Sequence, residues 1–244
     1  MRARIATLIV AMGVVVAAAP ALVLAQDGSA QDRLQSAASS LEGVQTMRFT
    51  GQTDLSSGSD TTTVFIGNGE FQAPDRGHMT ANMPELSQTN ETVSSGSSSW
   101  LRTVDGSWMP LGGSAPSPAP KSIADSLRQI AQYLVAPSVD DSGSQTVISG
   151  DLDVARAVSD SSPLATMIGV DYAGAPDTGT QITGSHVEVA ISRATNLPVS
   201  LTTSLSMIPG APQPGASGGP ITVMTSLTMS DFNSADISVE VPSE

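Results

Sequence analysis

The chain has no cysteine, a single lysine (Lys121) and two histidines, and aromatic side chains make up only 3% of its 244 residues. Each shortage excludes something. Without cysteine there are no disulfides and no thiolate chemistry, so burial and backbone pairing alone hold the fold. Ten basic against 23 acidic side chains give a formal net charge of −13. That balance opposes binding to nucleic acid, which needs basic residues to neutralise phosphates, and strong binding to anionic membrane surfaces. His78 and His186 are the imidazoles available as bases, and no G-x-S-x-G nucleophile motif accompanies them. Both read as solvated strand residues, so no catalytic residue is assigned and the chain is read as non-enzymatic. Asp75, Asp140-Asp141 and Asp151-x-Asp153 lack the closing Glu of an EF-hand and read as turn residues. Neither a metal nor a cofactor is expected.

What is present begins with a tripartite N-terminus. Arg2 and Arg4 precede an apolar run from Ile5 to Val16, and small residues lead to Val23-Leu24-Ala25. This is the pattern of a secretory signal cut after Ala25. The expectation is a signal peptide over 1–25 and one exported domain over 26–244. Ile5 to Ala25 carries no charge and is long enough to span a bilayer, which leaves an uncleaved anchor as the alternative. Pro20 and the alanine-rich end favour cleavage. Gln26, not cysteine, follows the cut, so lipoprotein acylation is excluded. A soluble periplasmic, cell-envelope or secreted protein is expected.

Beyond the signal, Leu34, Ala37, Ala38 and Leu41 recur at i, i+3, i+4 and i+7, which predicts a helix over 31–42. Short β-type runs follow over 46–55, 61–67, 70–73, 76–83 and 87–93. Ser99–Thr103 and Trp108–Leu111 flank Asp105-Gly106 and read as a hairpin with a tight two-residue turn, placing Trp100 and Trp108 across one ladder or close on one face. A Gly/Ser/Pro spacer over 112–120 feeds a second helix over 122–135. Ile123, Leu127, Ile130 and Leu134 share its apolar stripe and Pro137 ends it. Residues 139–162 are ambiguous, with one strand at 145–149, and 164–172 reads as a further helical piece. Strands resume over 181–192, 197–207, 220–230 and 237–241. Between the second and third of these lies a Pro/Gly-rich loop, 208–219, long for a hairpin. The order predicts an α+β fold built on a curled antiparallel sheet.

Three stretches carry a family resemblance. They are Thr46–Gly51 with Gly69-Glu-Phe-Gln-Ala-Pro-Asp-Arg76, then Ser99-Trp-Leu-Arg-Thr-Val-Asp-Gly-Ser-Trp108, and last Leu227-Thr-Met-Ser-Asp-Phe-Asn233 running to Pro242. In this layout the chain resembles the LolA-like superfamily, in particular the LppX and LprG branch of actinobacterial cell-envelope proteins. The resemblance implies an incomplete β-barrel with helices covering its concave face. It also implies an apolar cavity between them that holds the acyl chains of a lipid or acylated ligand. Two departures stand out: the lipoprotein cysteine of that branch is absent, and the 208–219 loop is longer than expected.

The residues fit such a cavity. Ten methionines exceed the four Phe, two Trp and two Tyr together, and methionine adapts to irregular apolar spaces. The expected lining is Leu127, Ile130 and Leu134 from the second helix with Phe65, Trp108, Val189 and Met229 from strands. Lipid binding, with a role in envelope lipid or lipoprotein transport, is the leading functional expectation. An envelope sensor of the same fold with a protein partner, and a surface adhesion domain built as a β-sandwich, are the alternatives.

Overall fold

The computed structural model describes residues 29–111, 118–160, 181–208 and 219–242. The expected signal segment, the helical piece at 164–172 and most of the 208–219 loop lie outside the described residues. Among those described, no helix is long and apolar enough to cross a membrane.

Helix α1 (Ala30–Leu41) opens on a capping box. The Asp32 N–H donates to Ser29 Oγ at 3.2 Å and the Ser29 N–H donates to Asp32 Oδ2 at 3.1 Å, satisfying two backbone donors that the first turn leaves free. Six strands follow as a meander: β1 (Thr46–Ser57), β2 (Asp60–Gln72), β3 (Arg76–Met83), β4 (Gln88–Ser95), β5 (Ser98–Arg102) and β6 (Trp108–Leu111). Helix α2 (Pro120–Tyr133) starts with proline at its first position, where the missing N–H costs nothing. The chain then returns through β7 (Leu134–Asp140), β8 (Gln145–Leu152), helix α3 (Val154–Ser159), β9 (Gln181–Ser192), β10 (Pro198–Ile208) and β11 (Ile221–Ser230).

All eleven strands form one antiparallel sheet in the order β6-β5-β4-β3-β2-β1-β11-β10-β9-β8-β7. Two meanders meet where β1 pairs with β11, and β6 and β7 stand at opposite ends. The sheet is therefore curled but not closed. Among the described residues there is one sheet and no second one packed on it, which removes the adhesion-domain alternative in the form the sequence suggested.

Strand alternation divides the sheet into two faces. Met47, Phe49, Phe71, Val187, Val189, Ile191, Leu201 and Met229 point to the inner face and form one core with the stripes of α1 and α2. Leu34 and Leu41 of α1 and Leu127 and Ile130 of α2 are wholly buried in it. Arg128 of α2 ties the helices together through Glu42 at the C-terminal cap of α1, and it also pairs with Asp125 within its own helix. Tyr133 closes the end of α2, donating its hydroxyl to Asp160 Oδ2 at 3.1 Å with the Arg156 guanidinium over its ring.

Several expectations are corrected. The second helix ends at Tyr133, and Leu134 is the first residue of a strand. Its ψ of 126° is extended, and it opens the β7 ladder by pairing with Leu152 of β8. β2 is continuous over a span expected to hold two strands, because Asn68 and Gly69 at the expected break pair with β1 on one side and β3 on the other; Val64 is bulged out where the register shifts opposite Thr53/Asp54. Residues 237–241 are not a strand. They form a strap across the outer face, burying Ile237 and Val239, and the Val239 N–H donates to Gln72 Oε1 at 3.0 Å. The β5–β6 connection is longer than a two-residue turn, with the Thr103 N–H donating to the Ser107 carbonyl at 2.8 Å and Gly106 at φ +86°.

Candidate ligand-binding faces

The inner face changes character along its strands. Under α1 and α2 it is sealed. Toward the far ends of β1, β2 and β9–β11 the same face continues as a half-buried apolar strip of Phe65, Ile182, Met207, Ile221, Val223 and Leu227. Register carries the strip across the sheet, since Leu227 opposes Gly51 and Leu201, and Met207 opposes both Ile221 and Ile182. Leu227, Met207 and Ile182 pack directly on the core, and a row of Thr53, Thr225 and Thr203 crosses the face between Leu227 and Val223.

The floor beneath Phe65 is shaped by glycine. Gly51 and Gly67 oppose each other, and the Phe65 ring lies over Gly67, where an added Cβ would sit 2.8 Å from its Cζ. At Gly69 the approach is closer: an added Cβ would lie 2.1 Å from the His78 carbonyl oxygen and 2.6 Å from Phe49 Cζ. Flat rings over bare backbone keep this part of the face shallow and smooth.

The seven expected lining residues divide accordingly. Leu127, Ile130, Val189 and Met229 meet in the sealed core, with Leu134 buried beside them where α2 passes into β7. Phe65 is inner-facing and half-buried on the strip. Trp108 stands apart. It opposes Arg102, which bonds Glu91, and Glu91 bonds His78, the strand partner of Glu70. All of these alternate with inner-facing residues, so Trp108 lies on the outer face. Hairpin proximity placed the two tryptophans on one side of the sheet, but which side depends on register across four ladders. The strip residues Val223, Leu227 and Ile221 were not among the expected lining residues, although alternation within 220–230 carried the signal.

The outer face holds a different arrangement. A cavity of about 550 Å³ lies between the β2–β6 surface and the strap. Glu70, His78, Glu91, Trp108, Val93 and Glu240 contribute to its walls. His78 Nε2 lies 3.0 Å from Glu91 Oε1, Arg102 Nη1 donates to Glu91 Oε2 at 2.8 Å, and Arg48 Nε donates to Glu70 Oε1 at 2.9 Å. The Arg102 hydrogen bond, reinforced by His78 and opposed by partial burial, holds the Glu91 carboxyl below its ordinary range. The Arg102 guanidinium also covers the Trp108 ring, 5.8 Å from its centroid. His186, by contrast, is exposed, with Nδ1 3.1 Å from Asp151 Oδ1.

Neither a protein-family model nor a curated protein matches the sequence. Solved structures do match. The lipoprotein LppX of Mycobacterium tuberculosis aligns over 88% of this chain and 100% of its own, at 13% identity and a TM-score of 0.51. The chain has an LppX-type fold. LprF from Mycobacterium bovis covers 88% of this chain and 97% of its own at 13% identity, with a TM-score of 0.49. At such identity the likeness to the LppX-type fold concerns backbone architecture. Ligand chemistry must be argued from this chain's own side chains.

Proposed function

We propose that this chain is an exported, non-enzymatic lipid-binding protein that holds acyl chains against the inner face of its curled sheet. The observation that carries the reading is the half-buried inner-face strip from Phe65 to Ile182, crossed by the Thr53–Thr225–Thr203 row and joined to the core through Leu227, Met207 and Ile182. Each methylene moved from water onto such a surface contributes about 0.8 kcal/mol, so a chain of ~16 carbons gains ~12 kcal/mol gross. That gain offsets the motional freedom lost on binding without specific polar contacts. The LppX-type fold supports the reading, and the signal-like N-terminus supports action outside the cytoplasm. In this reading Phe65 lines the open binding space, and Leu127, Ile130, Leu134, Val189 and Met229 back it from the sealed core.

The test is uptake of a fluorescent fatty-acid probe by the purified 26–244 protein, with native mass spectrometry to detect co-purified lipid. Val223→Asp places a charge on the strip at a half-buried position. It is expected to reduce probe affinity at least tenfold while keeping the fold. Failure of the unsubstituted protein to bind probe or lipid sinks the proposal, as does equal binding by Val223→Asp.

A further inference from the structure

The cavity on the outer face plays no part in lipid binding: the whole sheet separates it from the inner strip. Its volume of about 550 Å³ falls in the usual range for small-molecule sites. Its walls combine one indole ring, Trp108, with the polar edges of Glu70, His78 and Glu91, under a roof formed by the strap. Several ligand classes are disfavoured by these groups. An acyl chain would strip water from carboxylates. An anion would meet Glu70, Glu91 and Glu240 together. A cation would compete with Arg48 and Arg102, which already hold Glu70 and Glu91, and with Arg102 for the Trp108 ring. Among the described residues, no group of three His, Cys, Asp or Glu side chains is placed to hold a metal ion.

A neutral polyhydroxylated ring meets neither charge objection, and it must share the Trp108 indole, which lines the cavity, with the Arg102 guanidinium. An ionised carboxylate has about four lone-pair sites, and Glu91 spends one on Arg102 and one beside His78, leaving acceptors for ligand hydroxyls. A hydroxyl both donates and accepts, so it suits a wall where a carboxylate and an imidazole stand 3.0 Å apart. The C–H face of a pyranose packs on an indole, which is apolar in body and polar at one end. The ion pairs fix these edges in advance, which lowers the ordering cost of binding. We infer that the outer-face cavity is a carbohydrate site, taking a neutral sugar unit between Trp108, Glu91 and the strap.

Trp100 and Trp108 are the only tryptophans in the sequence and share the β5–β6 hairpin, so indole fluorescence reports this face and not the lipid strip. In Trp100→Phe, Trp108 is the sole reporter. Titration with maltose and with cellobiose is expected to give a saturable emission change, with Kd in the range of roughly 0.1–10 mM for at least one of them. By calorimetry, Trp108→Ala and the nearly isosteric Glu91→Gln should each weaken that binding at least tenfold, with fatty-acid uptake unchanged in Glu91→Gln. No saturable response to either disaccharide overturns the inference. So does full-strength sugar binding in a folded Trp108→Ala or in Glu91→Gln, or a response to putrescine or phosphate in place of sugar. Loss of fatty-acid uptake with the sugar response intact would count against lipid binding alone.

Discussion

Three glycines on the inner face of β1 and β2 provide a graded test of the packing. Alanine at Gly51 places its Cβ 3.7 Å from the Ser226 carbonyl oxygen and 4.0 Å from Leu227 Cδ1, ordinary van der Waals distances. A strand glycine replaced without strain gains about 0.4–1 kcal/mol, because the unfolded chain loses freedom. Gly67→Ala brings the Cβ within 2.8 Å of the Phe65 ring, a side chain able to tilt. Its overpacking cost of about 1 kcal/mol roughly cancels that gain. Gly69→Ala meets the His78 carbonyl at 2.1 Å and the Met79 Cα at 3.0 Å, and these are backbone atoms of a paired strand. Relief requires β2 and β3 to part, so the cost should reach the upper overpacking range of about 3 kcal/mol. In a domain of this size 1 kcal/mol shifts Tm by about 2–4 °C. Thermal unfolding followed by circular dichroism should therefore rank Gly51→Ala at or above the parent, Gly67→Ala near it, and Gly69→Ala about 6–12 °C below. A Gly69→Ala variant as stable as the parent would refute the close approach of β2 to β3. A Gly51→Ala variant less stable than Gly69→Ala would refute the assignment of faces.

Other perturbations follow from the same geometry. Leu127→Ala removes a fully buried side chain from the junction of α2, α1 and the sheet. Urea unfolding should show a loss of about 2–5 kcal/mol, whereas Val135→Ala, at a position 43% exposed on an edge strand, should stay within about 0.5 kcal/mol. Acid stability depends on carboxylates whose pKa values are depressed in the fold. Glu91 is lowered chiefly by Arg102, Asp141 by Arg33, and Asp105 to about 2 by hydrogen bonds from Ser107 and Thr103. A depressed carboxylate contributes stability that is complete above its unfolded pKa of about 4 and is lost as pH falls through its folded value. Tm should therefore be insensitive to these groups from pH 7 to about 5 and decline from about 4 toward 2. Asp105→Asn should lower Tm at pH 7 and shallow that decline; an unchanged acid limb would contradict the assigned hydrogen bonds.

Much of the architecture was legible in the chain itself. The period of Leu34, Ala37, Ala38 and Leu41 needs only local geometry, and the observed helix ends within one residue of the expected one. The stripe of Ile123, Leu127 and Ile130 is equally local. The alternating run at 181–192 and the hairpin around Asp105-Gly106 also emerged where expected, because glycine, proline and β-branched residues act on their neighbours. Misreadings arose where distant partners decide. β7 carries Pro137 and has its apolar Val135 and Val139 exposed, so neither alternation nor composition marks it, and it is a strand because β8 offers a ladder. Val239 resembles a strand residue by alternation but pairs with a side chain, since its backbone runs over the outer face instead of beside an edge.

By itself, then, the sequence determined what kinds of element form, the acidic and cysteine-free chemistry, the signal-like N-terminus and the resemblance that pointed to this fold. The tertiary structure decided which face each strand residue serves. Side chains alternate with a period of two, so a bulge at Val64 or a change of register between strands far apart in sequence reassigns a whole row. That is why Phe65 stands on the inner strip with Val223 and Leu227, while Trp108 faces the opposite side among Glu70, His78 and Glu91.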